Sequence, residues 1–202
     1  MNLWRGARPL VLASRSPSRQ QLLQNAGIGC RVVPADLDER LIQQQSGLSR
    51  PGPIAALLAS AKALHVAKDV GGDWILGADQ TLALGEDVFA KPEGRADAES
   101  QLKRLAGRTH ELHSALAVVR NGETIWETVV VARLAMRALS EHEIAGYLNA
   151  AGDKVMTTVG AYQLEGLGAH LFERIDGDHF TILGLPLLPL LDFLRRQSLL
   201  AF

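Results

Sequence analysis

The segment LVLASRSPSRQQLL, residues 10–23, packs three serines and two arginines between Ser14 and Arg19. An apolar run of β type stops at Ala13, and an amphipathic run begins with Gln20. A helix starting here leaves free backbone N–H groups with a partial positive charge. Ser14 and Ser16 add hydroxyls, Arg19 adds a planar fork of donors, and Pro17 presets the first helical turn. Such a joint suits a phosphate or carboxylate. The alternative is a plain N-cap at Ser16 with both arginines in water.

Other segments offer complementary groups. GADQT puts Asp79 where a strand pattern breaks, and FAKPEG puts Lys91 ahead of a proline turn. DLDER carries Asp38 and Glu39 in a polar loop, and Lys62 interrupts an Ala-Ser-Ala helix face. His110-Glu111-Leu112-His113 lacks the spacing of a zinc-binding H-E-x-x-H helix. In a strand, His110 and His113 would point to opposite faces. P-loop, Rossmann and G-x-S-x-G signatures are absent.

These groups need a scaffold. Residues 9–13 read as a buried strand and 18–25 as a helix ending at Gly27. Residues 54–70 read as a helix stopped by Gly71-Gly72, and 96–105 as another. DWILGADQTLALGEDVFA reads as strand, a break near 77–80, then more strand. Two long strand-like runs flank Asn121-Gly122, a tight hairpin signal. Ser140 and Glu143 form a capping-box pattern ahead of a helix. The chain is glycine-rich from Gly152 to Gly168, and the end reads as strand, turn and one apolar helix. Alternating strands and helices with an inserted hairpin predict a mixed α/β sheet.

The chain of 202 residues is 47% hydrophobic and carries a net charge of −1, long enough for one well-packed core or for one domain split into two lobes over residues 1–202. The even charge argues against a nucleic-acid surface. Cys30 is the sole cysteine, which excludes an intrachain disulfide and a cysteine zinc site. No apolar run reaches the roughly 18 residues of a membrane span. The expectation is a soluble, cytoplasmic protein.

Taken in order, these motifs resemble the Maf family of nucleoside triphosphate pyrophosphatases. The run Ser14-x-Ser16-x-x-Arg19 is similar to its N-terminal signature, DLDER to its acidic loop, and Lys62 to the lysine of its A-x-x-K-A helix. GADQT, AKPEG, LAGRTHELHS and the stretch from GAYQLEG to GLPL continue the resemblance over residues 10–188. It implies a mixed sheet with a cleft between two lobes, as in the related inosine-triphosphatase fold. It implies hydrolysis of a nucleoside triphosphate to the monophosphate and pyrophosphate, keeping non-standard nucleotides out of nucleic acids. Asp79 would be the base or would orient a water, and Glu39 with Asp79 would hold Mg²⁺ or Mn²⁺. Ser14, Ser16, Arg19, Lys62 and Lys91 would grip the triphosphate. Ser18, Gln80 and Glu165 fall at positions that set base preference. Gln80 and Glu165 resemble the 7-methyl-GTP subgroup rather than the dTTP and UTP subgroup. A homodimer is a further implication. The rival readings are a dTTP/UTP enzyme of the same family and a nucleotide sensor in division control that does not turn over.

Overall fold

The computed structural model describes residues 2–202. Its centre is a seven-stranded mixed sheet. Strand β1 (Leu10–Ala13) lies between β2 (Cys30–Val32) and β3 (Ile75–Leu84), parallel to both. Strand β4 (Asp87–Phe89) folds back on the end of β3. β3 then pairs antiparallel with β5 (Thr109–Arg120), which pairs with β6 (Glu123–Met136), and β7 (Phe172–Asp176) closes the far edge. The hairpin turn uses Asn121 (φ 51°) and Gly122 (φ 81°), the left-handed pair of a two-residue turn whose twist matches the strands.

β1 has no polar face because both faces are covered. Leu10 and Leu12 pack with Leu190, Phe193 and Leu194 of the C-terminal helix α7 (Leu187–Arg196). Val11 and Ala13 pack with Ala63 and Val66 of helix α3 (Pro51–Ala67). Full burial of each large apolar side chain stabilises by roughly 1.5–3 kcal/mol. A second core lies toward the other end of the sheet, where Leu82, Leu112 and Leu134 meet helix α4 (Arg95–Leu105) and helix α5 (Glu141–Ala151). Ser140 and Glu143 make the full capping box at the start of α5.

Three expectations change. The break expected near residues 77–80 does not exist, for β3 runs unbroken through ten residues. Gly77 sits there because α3 presses on it: a Cβ at Gly77 would collide with the carbonyl oxygen of Ala59. The polar segment after Asp38 is a helix, α2 (Glu39–Ser46), capped by the Asp38 carboxylate and stopped by left-handed Gly47. It buries no residue, so it lacks the apolar stripe that would have marked it. The C-terminal apolar run is two helices, α6 (His179–Ile182) and α7, separated at Gly184 (φ 82°). Among the described residues, no helix is long and apolar enough to cross a membrane.

Candidate active site

β1 ends at Ala13 opposite Gly77, so β3 continues past it with one side uncovered. The chain turns into helix α1 (Pro17–Asn25) at this point, and Arg19 fills the gap. Its Nη1 donates to the Ala78 carbonyl at 2.7 Å and to Ser14 Oγ at 3.0 Å, and its Nε donates to the Gly184 carbonyl at 2.8 Å. The N-cap reading of the opening segment holds for Ser16 but not for Arg19, which is partly buried and bonded to the protein, not in water. Ser16 does cap α1, accepting from the Arg19 N–H at 3.4 Å, while Ser14 is buried as a partner of the guanidinium. Burial lowers the pKa of Arg19, and the charges of Asp79 and Glu39 oppose that shift.

The alternation of β3 sorts its side chains. Gly77, Asp79 and Thr81 face α3, where Thr81 Oγ1 donates to the Pro51 carbonyl at 2.9 Å. α3 lies close because its inner face is Ala55, Ala59 and Ala63. That closeness brings Lys62 Nζ to 2.6 Å from Asp79 Oδ1 and 2.9 Å from Glu39 Oε1. Two carboxylates, from β3 and α2, thus converge on one ammonium. Desolvation raises the pKa of Asp79 above the ordinary carboxylate value, while Lys62 and Arg19 pull it back.

Gln80 points to the opposite face. Its Nε2 donates to Ser114 Oγ at 2.7 Å and to the Thr181 and Ile182 carbonyls at 3.1 Å each. Ser114 Oγ also donates to the Thr181 carbonyl at 2.7 Å. With Arg19 on Gly184, these bonds fix the 181–184 turn against the sheet. Glu165 lies on the segment after Tyr162, and Ser18 Oγ donates to its Oε1 at 3.1 Å.

All ten residues singled out in the sequence line one cleft of ≈ 860 Å³: Ser14, Ser16, Ser18, Arg19, Glu39, Lys62, Asp79, Gln80, Lys91 and Glu165. The cleft lies between the two cores, with Ala13 and α1 on one side and Phe89, Leu112 and Tyr162 on the other. Sequence reasoning missed Arg40 and Gln43, which line the cleft from α2, and Thr157, Thr158 and Gln163. The first two follow Glu39 at one and four residues, a signal visible only once the segment is known to be helical. The other three sit among 3-10 turns with no periodic pattern. His110 and His113 make no metal pair: His110 bonds Tyr162, and His113 Nε2 lies 3.0 Å from Glu111 Oε2.

A nucleoside triphosphate pyrophosphatase from Rhodopseudomonas palustris (strain BisB18) is 60% identical over the full length of both chains. Another from Rhodopseudomonas palustris (strain ATCC BAA-98 / CGA009) is 63% identical, again covering 100% of each. A 7-methyl-GTP pyrophosphatase from Brucella abortus biovar 1 (strain 9-941) is 47% identical over 94% of this chain and 96% of its own. The family model described as Maf-like protein matches residues 9–197. With the family match spanning both cores and the cleft between them, this chain belongs to the Maf family.

Proposed function

We propose that the cleft hydrolyses nucleoside triphosphates to the monophosphate and pyrophosphate, with 7-methyl-GTP the favoured substrate. The observation that carries this is the convergence of three chain segments, α2, α3 and β3, on a single cation-and-carboxylate centre, Lys62 with Asp79 and Glu39. The names of the full-length relatives point to the same reaction. Asp79 takes the proton from the water that attacks the α-phosphorus. Its raised pKa suits that task, because a base works best when its pKa approaches the working pH. Two donors of Arg19 and both of its carbonyl partners fix the guanidinium, and the Nη2 amino group is offered to a phosphate oxygen. Ser14, Ser16 and exposed Lys91 add donors for the triphosphate, and Lys62 offsets charge on the leaving pyrophosphate.

The donor set fits a hard divalent cation. Asp79 and Glu39 already approach one shared cationic point, and Mg²⁺ is bound by one or two carboxylates plus substrate phosphates. When bound, Mg²⁺ or Mn²⁺ would neutralise phosphate charge and polarise the reacting oxygen.

Base preference rests on Glu165. A carboxylate accepts from the N1–H and 2-amino edge of guanine and attracts a cationic methylated ring. Against a pyrimidine it meets the O2 acceptor. Ser18, bonded to Glu165, orients that carboxylate. The Brucella relative's name agrees with this reading. Gln80 supports the pocket by holding the 181–184 turn. A cytoplasmic homodimer completes the proposal on family resemblance, and sedimentation at micromolar concentration checks it.

The test is pyrophosphate release from 7-methyl-GTP, GTP, dTTP and UTP, with and without a chelator. Turnover highest for 7-methyl-GTP and abolished by chelation is expected. Preference for dTTP or UTP would move the protein to the other subgroup. Binding without turnover would make it a sensor.

A further inference from the structure

The motif THELHS contributes one group that the chemistry above does not use. His110 is fully buried, and its Nε2 lies 2.7 Å from the Tyr162 hydroxyl. Its Nδ1 is a buried polar atom without a hydrogen-bond partner among the described residues. The ring stands between Tyr162 and Phe172, with centroids 5.6 and 5.8 Å away. An apolar side chain would fill this site with no orphaned nitrogen, and a buried polar atom left unpaired is costly. What the imidazole alone supplies is the bond to Tyr162.

Tyr162 is part of the cleft wall, and Gln163, Leu164 and Glu165 line the cleft after it. The two residues before it are in left-handed conformation, Gly160 (φ 77°) and buried Ala161 (φ 58°). Such a backbone persists only where its surroundings over-determine it. Two polar anchors do so: the Gly160 N–H donates to Gln101 Oε1 at 3.2 Å, and Tyr162 meets His110. After Glu165 the segment closes on itself, with Gly166 and Gly168 N–H donating to the Gln163 carbonyl. His110 also shares a face of β5 with Ser114, which holds the 181–184 turn. One strand face therefore carries an anchor for each wall.

We propose that His110, through Tyr162, is a positioning residue for base selection: it fixes the segment that presents Glu165 to the nucleobase. This rests on the base reading given above for Glu165. Burial lowers the His110 pKa to about 4, so the ring is neutral at neutral pH and the bond is one between uncharged partners.

The test uses Tyr162→Phe, which keeps the ring and deletes the hydroxyl, and the pair His110→Leu and His110→Gln. Glutamine retains a donor near the position of Nε2. Tyr162→Phe and His110→Leu should raise KM for 7-methyl-GTP about 5- to 20-fold, the span lost with one neutral buried hydrogen bond or slightly more. kcat should change less than twofold, and His110→Gln should recover most of the loss. Inhibition by inorganic tripolyphosphate, which has no base, should be unchanged. Hydrogen–deuterium exchange over residues 159–168 should quicken in Tyr162→Phe with no nucleotide present. A parallel loss for tripolyphosphate, or unchanged discrimination between 7-methyl-GTP and UTP, overturns the proposal. If the wild type shows no base preference, the reading of Glu165 fails. Exchange then decides the anchor alone: unchanged exchange in Tyr162→Phe overturns it.

Discussion

The two ends of the cleft are built differently. At the phosphate end, Arg19, Ser14, Lys62, Asp79 and Glu39 are tied to one another and to the backbones of β3 and the 184 turn. Lys62 and Asp79 are nearly buried there, with side chains 12% and 10% exposed. At the base end, Ser18 and Glu165 share one hydrogen bond in an exposed setting. Charge buried in a low-dielectric site acts strongly on a reaction but tolerates little change. A single exposed hydrogen bond can be exchanged at small cost. On the proposed function, the architecture separates a reaction common to many nucleotides from the choice among them.

The largest break in this comparison comes from Asp79→Asn. Loss of a general base costs about 10²–10⁴-fold in kcat. The effect should be equal for every nucleotide tested, and nucleotide binding should survive. A variant that keeps a tenth of the activity, or that changes base preference, would erase the division between the ends.

Acid should act on the other end through His110. Its pKa is lowered from 6.5 to about 4 by burial. Between those values the unfolded chain takes up a proton that the folded chain refuses, so stability is complete above the window and falls as pH drops through it. The contribution is about 3 kcal/mol at most, from the free energy of a pKa difference of this size. Denaturant titrations of the wild type and His110→Phe at pH 7 and pH 4.5 read it. The wild type should lose more stability than the variant; equal losses would refute the assignment.

Glu165→Gln should narrow or reverse the preference for 7-methyl-GTP over UTP. Restoring a donor toward the pyrimidine O2 relieves an unsatisfied contact worth about 1–3 kcal/mol, roughly 5- to 150-fold. kcat/KM for the two substrates in both proteins checks this. The smallest effect belongs to Ser18→Ala. Its exposed bond to Glu165 is worth about 0.5–1.5 kcal/mol at most, so selectivity should shift by roughly 2- to 10-fold with Asp79 chemistry intact.

The sequence made much of this legible where the signal is local. The joint at Ser14–Arg19, the hairpin at Asn121-Gly122 and the cap at Ser140 are each written in adjacent residues, and each is present. Residues 77–80 of β3 look like a break in the sequence because glycine and aspartate disfavour strands. What keeps them in the strand is α3, whose Ala59 and Lys62 meet Gly77 and Asp79 from another part of the chain. α2 is hidden in the sequence for the opposite reason: it has caps and ion pairs but buries no apolar face. The site residues carried by family resemblance converge on the cleft, but the bonds of Gln80 to the 181–184 turn depend on a fold that no spacing reveals.

The contact between Gly77 and the Ala59 carbonyl has a consequence for how this chain can vary over generations. Ser18 and Glu165 meet each other through one exposed hydrogen bond, so on the proposed function either can be replaced singly with the reaction centre left intact. Gly77 allows no such gradual path, for a single methyl would push α3 outward and carry Lys62 away from Asp79. Descent with modification is therefore bound to preserve a glycine that does not itself line the cleft.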